Sequence, residues 1–122
     1  MTDLEIGIVS VYFGRLPDYF PVWLESCRKN PTVDFLVVTD QAVTSDVPNV
    51  KFIASTLHEL KMQASAVLGF DVMLESPFKL CDFKPTYGVI FEELLKPYDY
   101  WGHCDIDLIW GDLRSFFRGY HL

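Results

Sequence analysis

The feature that most constrains the fold is the alternation of short, continuous apolar runs with segments of helical period. Residues 5–13, 33–39 and 50–54 form three such runs, each containing β-branched side chains, and residues 98–104 predict a fourth strand. Continuous runs of this length are typical of strands that are covered on both faces, as in a parallel sheet. The sequence therefore predicts an α/β fold, with a mainly parallel sheet and helices on both of its faces.

Three segments between these runs have the spacing of helices. Apolar residues recur at helical intervals over 17–29 and over 57–68, and the second segment follows a capping-box pattern and ends before Gly69. Residues 85–96 carry one apolar face and one charged face, and Pro97 ends them. They predict a third helix, with the clearest helical pattern in the chain.

Composition excludes several classes of protein. The chain has 122 residues, half of them apolar and 22% charged, which predicts one ordered domain over residues 1–122. Its formal net charge is −7 and its ten Lys and Arg residues are scattered, so it lacks the positive face that nucleic-acid binding requires. No apolar stretch approaches the roughly 20 residues of a membrane span, and the acidic N-terminus differs from a signal peptide. We expect a cytoplasmic protein, and a peripheral position at the inner membrane face stays open.

The cysteines and two of the histidines show no ligand spacing. The cysteines, at positions 27, 81 and 104, are an odd number without a C-x-x-C pattern, which predicts reduced, buried thiols. His58 is expected to be exposed on the second helix. His103 is expected to pack under the loop after the fourth strand, and the alternative is a metal or phosphate contact.

Several polar or aromatic residues fall where the predicted strands end. Ligands of open α/β sheets bind at the carboxyl ends of the strands, which here are Gly14, Asp40 and Asp105. Asp40 could accept hydrogen bonds from a nucleotide's ribose or base, or could belong to an ordinary turn. Tyr12 and Phe13 could place a ring against a base, while Gly14 allows either a close backbone approach or a tight turn.

Asp105 and Asp107 form a D-x-D motif directly after the fourth predicted strand. Two carboxylates at alternate positions can bind one divalent cation, while the phosphates of a ligand complete its coordination shell. The alternative is a solvated acidic turn. We expect the two carboxylates to pack against Trp101, Trp110 and Ile106, where they would repel each other without a cation between them.

Lys79, Asp82 and Lys84 lie just before the third predicted helix. Two ammonium groups beside the N-terminus of a helix could bind a diphosphate, because both carry positive charge. The alternative is a solvated loop.

Four segments together resemble a known family of enzymes. They are Val-Tyr-Phe-Gly at 11–14, Phe-Leu-Val-Val-Thr-Asp at 35–40, Lys-Leu-Cys-Asp-Phe-Lys-Pro-Thr-Tyr-Gly at 79–88 and Trp-Gly-His-Cys-Asp-Ile-Asp at 101–107. The chain resembles a GT-A glycosyltransferase over residues 5–117. More narrowly, it resembles a bacterial family of nucleotide-sugar transferases that build capsule and lipopolysaccharide glycans. The resemblance implies a Rossmann-like half-domain that binds a nucleotide-diphospho-sugar.

The resemblance also implies roles for individual residues. The residues that it assigns to the nucleoside are Tyr12, Phe13, Gly14 and Asp40. Asp105 and Asp107 would hold Mn²⁺ or Mg²⁺ against the diphosphate, where the metal stabilises the leaving group. Further donor contacts would be Lys79, Asp82 and Lys84. The expected donor is a UDP-sugar, with a GDP-sugar as the alternative, the expected acceptor is a glycan, and no residue is nominated as the catalytic base.

The chain departs from this family at its C-terminus. Transferases of this kind continue past the D-x-D motif into an acceptor-binding region, whereas this chain has 15 further residues after Asp107. Its last 26 residues are rich in aromatic side chains, which is typical of an interface or of a surface that another segment covers. We therefore expect a donor-binding half, either truncated or completed by self-association. The aromatic residues are Tyr98, Tyr100, Trp101, Trp110, Phe116, Phe117 and Tyr120.

Two other functions are compatible with the sequence. One is a non-catalytic nucleotide-binding or interaction module that retains the same half-fold. The other is a phosphotransferase similar to the haloacid dehalogenases, with Asp105 as nucleophile and Asp107 as acid and base. The second is disfavoured because that family places its motif after an early strand and needs much more chain downstream.

Overall fold

The computed structural model describes residues 4–117, and four β-strands in this range form one sheet. The strands are β1 (Ile6–Tyr12), β2 (Val33–Thr39), β3 (Val50–Ala54) and β4 (Tyr100–His103). The predicted bounds of β2 and β3 are confirmed, and β1 is one residue shorter at each end. β4 is shorter than predicted, because its ladder pairs only with Ile6–Val9 of β1.

All neighbouring strands are parallel, and their order across the sheet is β3-β2-β1-β4. The chain moves from β1 to β2 to β3 in one direction and then returns to place β4 on the other side of β1. The strand order therefore reverses between β1 and β4, which is the position where ligands bind in open α/β sheets. The predicted mainly parallel sheet is confirmed.

Five helices accompany the sheet in the described range, together with 3₁₀ segments at Pro77–Asp82 and Lys84–Thr86. The helices are α1 (Phe20–Arg28), α2 (Leu57–Leu68), α3 (Tyr87–Ile90), α4 (Glu92–Leu95) and α5 (Leu113–Phe117). None of these helices has the length and apolar character needed to cross a membrane.

The start and the end of α2 follow the predicted signals. The Thr56 hydroxyl accepts a hydrogen bond from the Glu59 N–H at 3.1 Å, and Gly69 ends the helix with φ +81°, a conformation that favours glycine. The helix predicted over 17–29 begins later, at Phe20, because residues 17–20 form a turn in which the Phe20 N–H bonds to the Pro17 carbonyl.

The prediction of one continuous helix over 85–96 is wrong. The segment is divided into a 3₁₀ turn, α3 and α4, and the chain leaves helical geometry at Phe91, where φ is −104° and ψ is +28°. The apolar spacing nevertheless identified the buried side chains, since Tyr87, Ile90, Phe91 and Leu95 are all buried. A series of short helical turns can bury side chains at the same spacing as one continuous helix.

Both faces of the sheet are covered by apolar side chains, as predicted. On one face, Phe20 and Trp23 of α1 pack against Phe35 of β2. On the other face, α2 and the segment from Leu80 to Leu95 pack against Val9 and Leu36.

The aromatic residues near the C-terminus divide into two groups. Trp110 and Phe117 pack on the α1 face of the sheet, so the fold itself covers these two rings. Tyr100, Trp101 and Phe116 are exposed, and Tyr98 is half-buried. Tyr120 lies outside the described residues.

Two buried asparagines connect the α1 face to the loops around it. The Asn49 Nδ2 lies 2.9 Å from each of the carbonyl oxygens of Cys27, Asn30 and Val33. The Asn30 side chain donates to the carbonyls of Ser26 and Gly111 and accepts from the Leu113 N–H. The carbonyls of Cys27 and Asn30 also accept backbone hydrogen bonds, from the N–H groups of Asn30 and Val33, so the Asn49 amide adds a second donor to each of them.

Candidate functional site

A cleft of about 270 Å³ opens at the carboxyl ends of β1 and β4, where the strand order reverses. β1 contributes the wall next to the sheet, the 3₁₀ segments and α3 contribute the opposite wall, and the residues after β4 close one side. Its polar lining residues are Tyr12, Cys81, Lys84, Tyr87 and Asp105. The structure thus brings together residues that are as far as 93 positions apart in the chain.

Asp105 and Asp107 lie on either side of Ile106, which is buried with 2% of its surface exposed. Both carboxylates line a second, smaller hollow of about 190 Å³ together with Tyr12 and Tyr19. The expectation that they are buried against tryptophans is wrong, because only Ile106 turns into the core and both acidic side chains are exposed. Burial therefore does not force a cation between them, and both are accessible to a ligand.

Lys84 reaches the first of these carboxylates. Its Nζ lies 2.6 Å from Oδ1 of Asp105, and its side chain is 22% exposed while that of Asp105 is 58% exposed. The hydrogen bond to Asp105 raises the pKa of Lys84 above its usual range. An ammonium group that is always charged near neutral pH therefore lies at the edge of the cleft.

The other two residues of the predicted diphosphate loop lie outside this site. Lys79 and Asp82 are exposed on the first 3₁₀ segment and do not line the cleft or the hollow. The predicted helix N-terminus is also missing from the described structure, because α3 has only four residues and follows a 3₁₀ turn. Lys84 alone of this group reaches the site.

One carboxylate oxygen of Asp40 is already hydrogen-bonded within the protein. Its Oδ1 accepts hydrogen bonds from the Gly14 N–H and from the Gln41 side chain, both at 2.9 Å. These bonds, that from Gln41 foremost, hold the pKa of Asp40 below its ordinary value. Gly14 has φ +96°, so the carboxylate fixes the left-handed turn that follows β1. Asp40 lies at the same edge of the sheet but does not line the cleft or the hollow.

The two aromatic residues at the end of β1 differ in exposure. Phe13 is 9% exposed and belongs to the core on the α2 face, so little of its surface meets the cleft. Tyr12 is half-buried and lines both the cleft and the hollow. Of the two rings, Tyr12 has the surface on which a planar group could stack.

Tyr87 is a buried phenol at the base of the cleft. Burial, together with the nearby Cys81 and Asp105 groups, raises its pKa above the ordinary value. Its hydroxyl is therefore neutral near pH 7 and can donate a hydrogen bond to a ligand.

Neither the histidines nor the cysteines form a further centre in the described range. His58 is exposed on α2, as predicted, whereas His103 is exposed on β4, so the prediction that it packs under the loop is wrong. Its ring centroid lies 6.0 Å from that of Tyr87. Cys27 and Cys104 are buried free thiols, but Cys81 is exposed, because its 3₁₀ segment turns it into the cleft. Burial raises the pKa of Cys104 to about 12, so this thiol is protonated and unreactive.

Any metal site here would need ligands beyond the His, Cys, Asp and Glu side chains of the described residues. Within residues 4–117, no group of three or more His, Cys, Asp and Glu side chains could hold a metal ion. Asp105 and Asp107 offer exposed carboxylate oxygens on one hollow, and these are the ligands that Mg²⁺ and Mn²⁺ prefer. The two residues fit such an ion if phosphate oxygens and water complete its coordination shell.

Three residues of the site were not predicted from the sequence to belong to it. Tyr19 follows a Pro-Asp turn, Cys81 was expected to be a buried thiol, and Tyr87 occupied the apolar face of a predicted helix. Each reaches the cleft or the hollow only because of how the segments pack.

Comparison with known proteins identifies a family and no activity. No curated protein and no solved structure matches the chain. One family model matches residues 8–122, and its description is that of a family of unknown function. The matched range includes every residue of the cleft and of the hollow. The chain therefore belongs to the family of unknown function DUF6625.

Proposed function

We propose that this chain binds the nucleotide-sugar donor of a metal-dependent glycosyltransferase. One observation carries the proposal: an exposed D-x-D pair follows β4 at the point where the order of a parallel sheet reverses, beside the carboxyl end of β1. Open α/β sheets bind ligands at this position, and paired carboxylates there suit a metal–diphosphate complex. The resemblance to GT-A transferases in the residues that line the site adds support.

In this proposal, Asp105 and Asp107 hold Mn²⁺ or Mg²⁺ together with the diphosphate oxygens. When bound, such an ion stabilises the negative charge of a leaving nucleoside diphosphate. Lys84 adds a second positive charge at the same position, since its ammonium already lies at Asp105. Tyr87 offers a neutral hydroxyl to the ligand from the base of the cleft.

The nucleoside is proposed to bind along the carboxyl end of β1. Tyr12 provides the aromatic surface for the base, Phe13 provides an apolar edge, and Gly14 leaves the backbone open, since no atom lies within 4 Å of the place where its Cβ would be. Asp40 orders this turn through the Gly14 N–H. UDP is the favoured nucleotide and GDP the alternative, whereas Lys79 and Asp82 lie outside the cleft and are not included.

The remaining partners follow from the resemblance. The acceptor is proposed to be a glycan, and the reaction is proposed to take place in the cytoplasm. The exposed ring of Trp101 on β4 is proposed to lie in the surface through which a second copy would complete the acceptor side. Sedimentation of the wild-type chain and of a Trp101→Ser variant tests that role, which predicts a dimer that the substitution weakens.

The test of donor binding is thermal unfolding with UDP or GDP, each with and without Mn²⁺. A ligand that binds only the native state, at about 100 times its dissociation constant, stabilises that state by about 2.7 kcal/mol. We expect stabilisation only when nucleotide and metal are both present, and we expect Asp107→Ala to abolish it. The matched control is Asp71→Ala, because Asp71 is also an exposed carboxylate and lies away from the cleft.

Three outcomes distinguish the candidate functions. Nucleotide binding that survives Asp107→Ala unchanged would show that the metal-site assignment is wrong. The absence of stabilisation with every nucleotide and metal pair contradicts donor binding altogether. Metal-dependent binding without transfer to any glycan acceptor would identify the alternative, a nucleotide-binding module.

A further inference from the structure

Lys84 already places a cation at one of the two carboxylates that suit a metal. Its Nζ lies 2.6 Å from Oδ1 of Asp105. Lys84 lines the cleft together with Cys81 and Tyr87, and most of its side chain is covered by the protein, so packing holds the ammonium at this position. Among the described residues that line the cleft and the hollow, no other Lys or Arg is present.

The charges of Lys84, Asp105 and Asp107 determine how well a metal ion can bind beside the ammonium. Asp105 and Asp107 contribute two negative charges and Lys84 contributes one positive charge, so the ligand-free cluster is only singly negative. A divalent ion on Asp105 would lie close to the Lys84 ammonium, and like charges at such short separation repel strongly. Metal without nucleotide therefore competes with Lys84 for the same carboxylate.

A nucleoside diphosphate removes this conflict. Its phosphate oxygens can accept hydrogen bonds from the ammonium and can also bind the metal. The Lys84 ammonium can then bind the phosphate oxygens, so the Asp105 carboxylate is free to bind the metal ion. Because coupling between two ligands is reciprocal, the metal strengthens nucleotide binding by the same factor.

We propose that Lys84 occupies the cation position at Asp105 in the ligand-free protein and moves to the diphosphate when metal and nucleotide bind together. This inference rests on the proposed function. It assigns to Lys84 a positioning role that makes metal binding dependent on nucleotide, beyond a simple contact to the donor.

The experiment is calorimetric titration of the ligand-free chain with Mn²⁺ alone and then with UDP at saturating Mn²⁺. Lys84→Met keeps the apolar part of the side chain and removes its charge, and Lys84→Arg keeps the charge. The matched control is Lys29→Met, because Lys29 is exposed at the end of α1. Thermal unfolding of each variant establishes that it is folded.

We expect Lys84→Met to bind Mn²⁺ alone about tenfold more tightly than the wild type and to bind UDP with Mn²⁺ about tenfold more weakly. Lys84→Arg and Lys29→Met should resemble the wild type in their affinity for Mn²⁺ alone. Unchanged or weaker binding of Mn²⁺ alone by Lys84→Met overturns this inference, whereas metal-dependent binding of UDP by the wild type leaves the proposed function standing. A wild-type chain that binds no nucleotide with metal contradicts both.

Discussion

Two clusters of polar side chains in this molecule differ in what they bind. The asparagine cluster, Asn30 and Asn49, is buried on the α1 face, and its amide nitrogens donate to backbone carbonyls at 2.9–3.1 Å. The β4-end cluster, Lys84, Asp105 and Asp107, lies at the carboxyl edge of the sheet. One ion pair joins two of its members, and both carboxylates are exposed to solvent.

The difference separates polar residues that stabilise the fold from those that are available to a ligand. Removing a buried amide that donates to several backbone carbonyls is costly, because each carbonyl loses a hydrogen-bond donor in a place that water does not reach. Removing one exposed carboxylate from the hollow should change the free energy of unfolding little, since water replaces its protein contacts. Substitutions in the first cluster should therefore change stability, and substitutions in the second should change binding.

Asn49→Ala should have the largest effect on stability. The substitution leaves the carbonyls of Cys27, Asn30 and Val33 without the donor that lies 2.9 Å from each. We expect a loss of about 3 kcal/mol in the free energy of unfolding, measured by urea denaturation. Thr44→Ala, at an exposed position, is the control. A loss below about 1 kcal/mol would show that the asparagine cluster does not stabilise the fold.

Gly7→Ala should lower the free energy of unfolding by about 2 kcal/mol, because Gly7 lies in a close contact near the amino-terminal end of β1. A Cβ at Gly7 would lie 2.8 Å from the ring of Tyr98, and the Tyr98 hydroxyl holds that ring in place by donating to Asp34 at 2.6 Å. Gly102→Ala on the neighbouring β4 is the matched control, because no atom lies within 4 Å of its Cβ position. Equal unfolding midpoints for the two variants would contradict close packing at Gly7.

Asp40→Asn should have a smaller effect that depends on pH. Hydrogen bonds from Gln41 and Gly14 lower the folded-state pKa of Asp40 from its ordinary value of 3.8, so its ionised form favours the folded state. The resulting stabilisation is present above pH 3.8 and is lost as the pH falls through the folded-state pKa. Thermal unfolding should show a lower midpoint for the variant at pH 6, and the two midpoints should converge once the pH lies below the folded-state pKa of Asp40. A difference that persists unchanged at low pH would contradict this assignment.

Asp107→Ala should have the smallest effect on stability. Its carboxylate is exposed and lies in the same hollow as that of Asp105, so its removal also relieves a like-charge repulsion. We expect the unfolding free energy without ligand to change by less than about 0.5 kcal/mol, with any change towards higher stability, while metal-dependent nucleotide binding is lost. Destabilisation comparable to that of Asn49→Ala would place Asp107 among the structural residues.

Secondary structure was predictable wherever a single local pattern was sufficient. The bounds of β2, β3 and α2 follow from continuous apolar runs, a capping threonine and Gly69. The segment 85–96 was not predictable in the same way, because the spacing of its apolar residues shows which side chains are buried but not whether the backbone forms one continuous helix. A continuous helix and a series of short turns bury the same faces, and only tertiary packing distinguishes them.

The candidate site was predictable in part. Asp105 and Asp107 were identified because they follow a strand, and Lys84 because it precedes a periodic segment. The contact between Lys84 and Asp105 had no sequence signal, nor did the presence of Cys81, Tyr87 and Tyr19 around them. Phe13 lines the cleft but belongs to the core on the α2 face. Four other residues that were predicted to contact the ligand line neither the cleft nor the hollow, and they are Gly14, Asp40, Lys79 and Asp82.

Local patterns of side chains were enough to predict a parallel α/β sheet and the position of two carboxylates at a strand end, because the spacing of apolar residues and the positions of Gly and Pro are local properties. The pairing of β4 with β1 at the reversal of strand order and the ion pair between Lys84 and Asp105 followed from the packing of distant segments. Strand order and contacts across 21 residues depend on how whole faces pack against one another. A linear pattern of side chains does not contain that information.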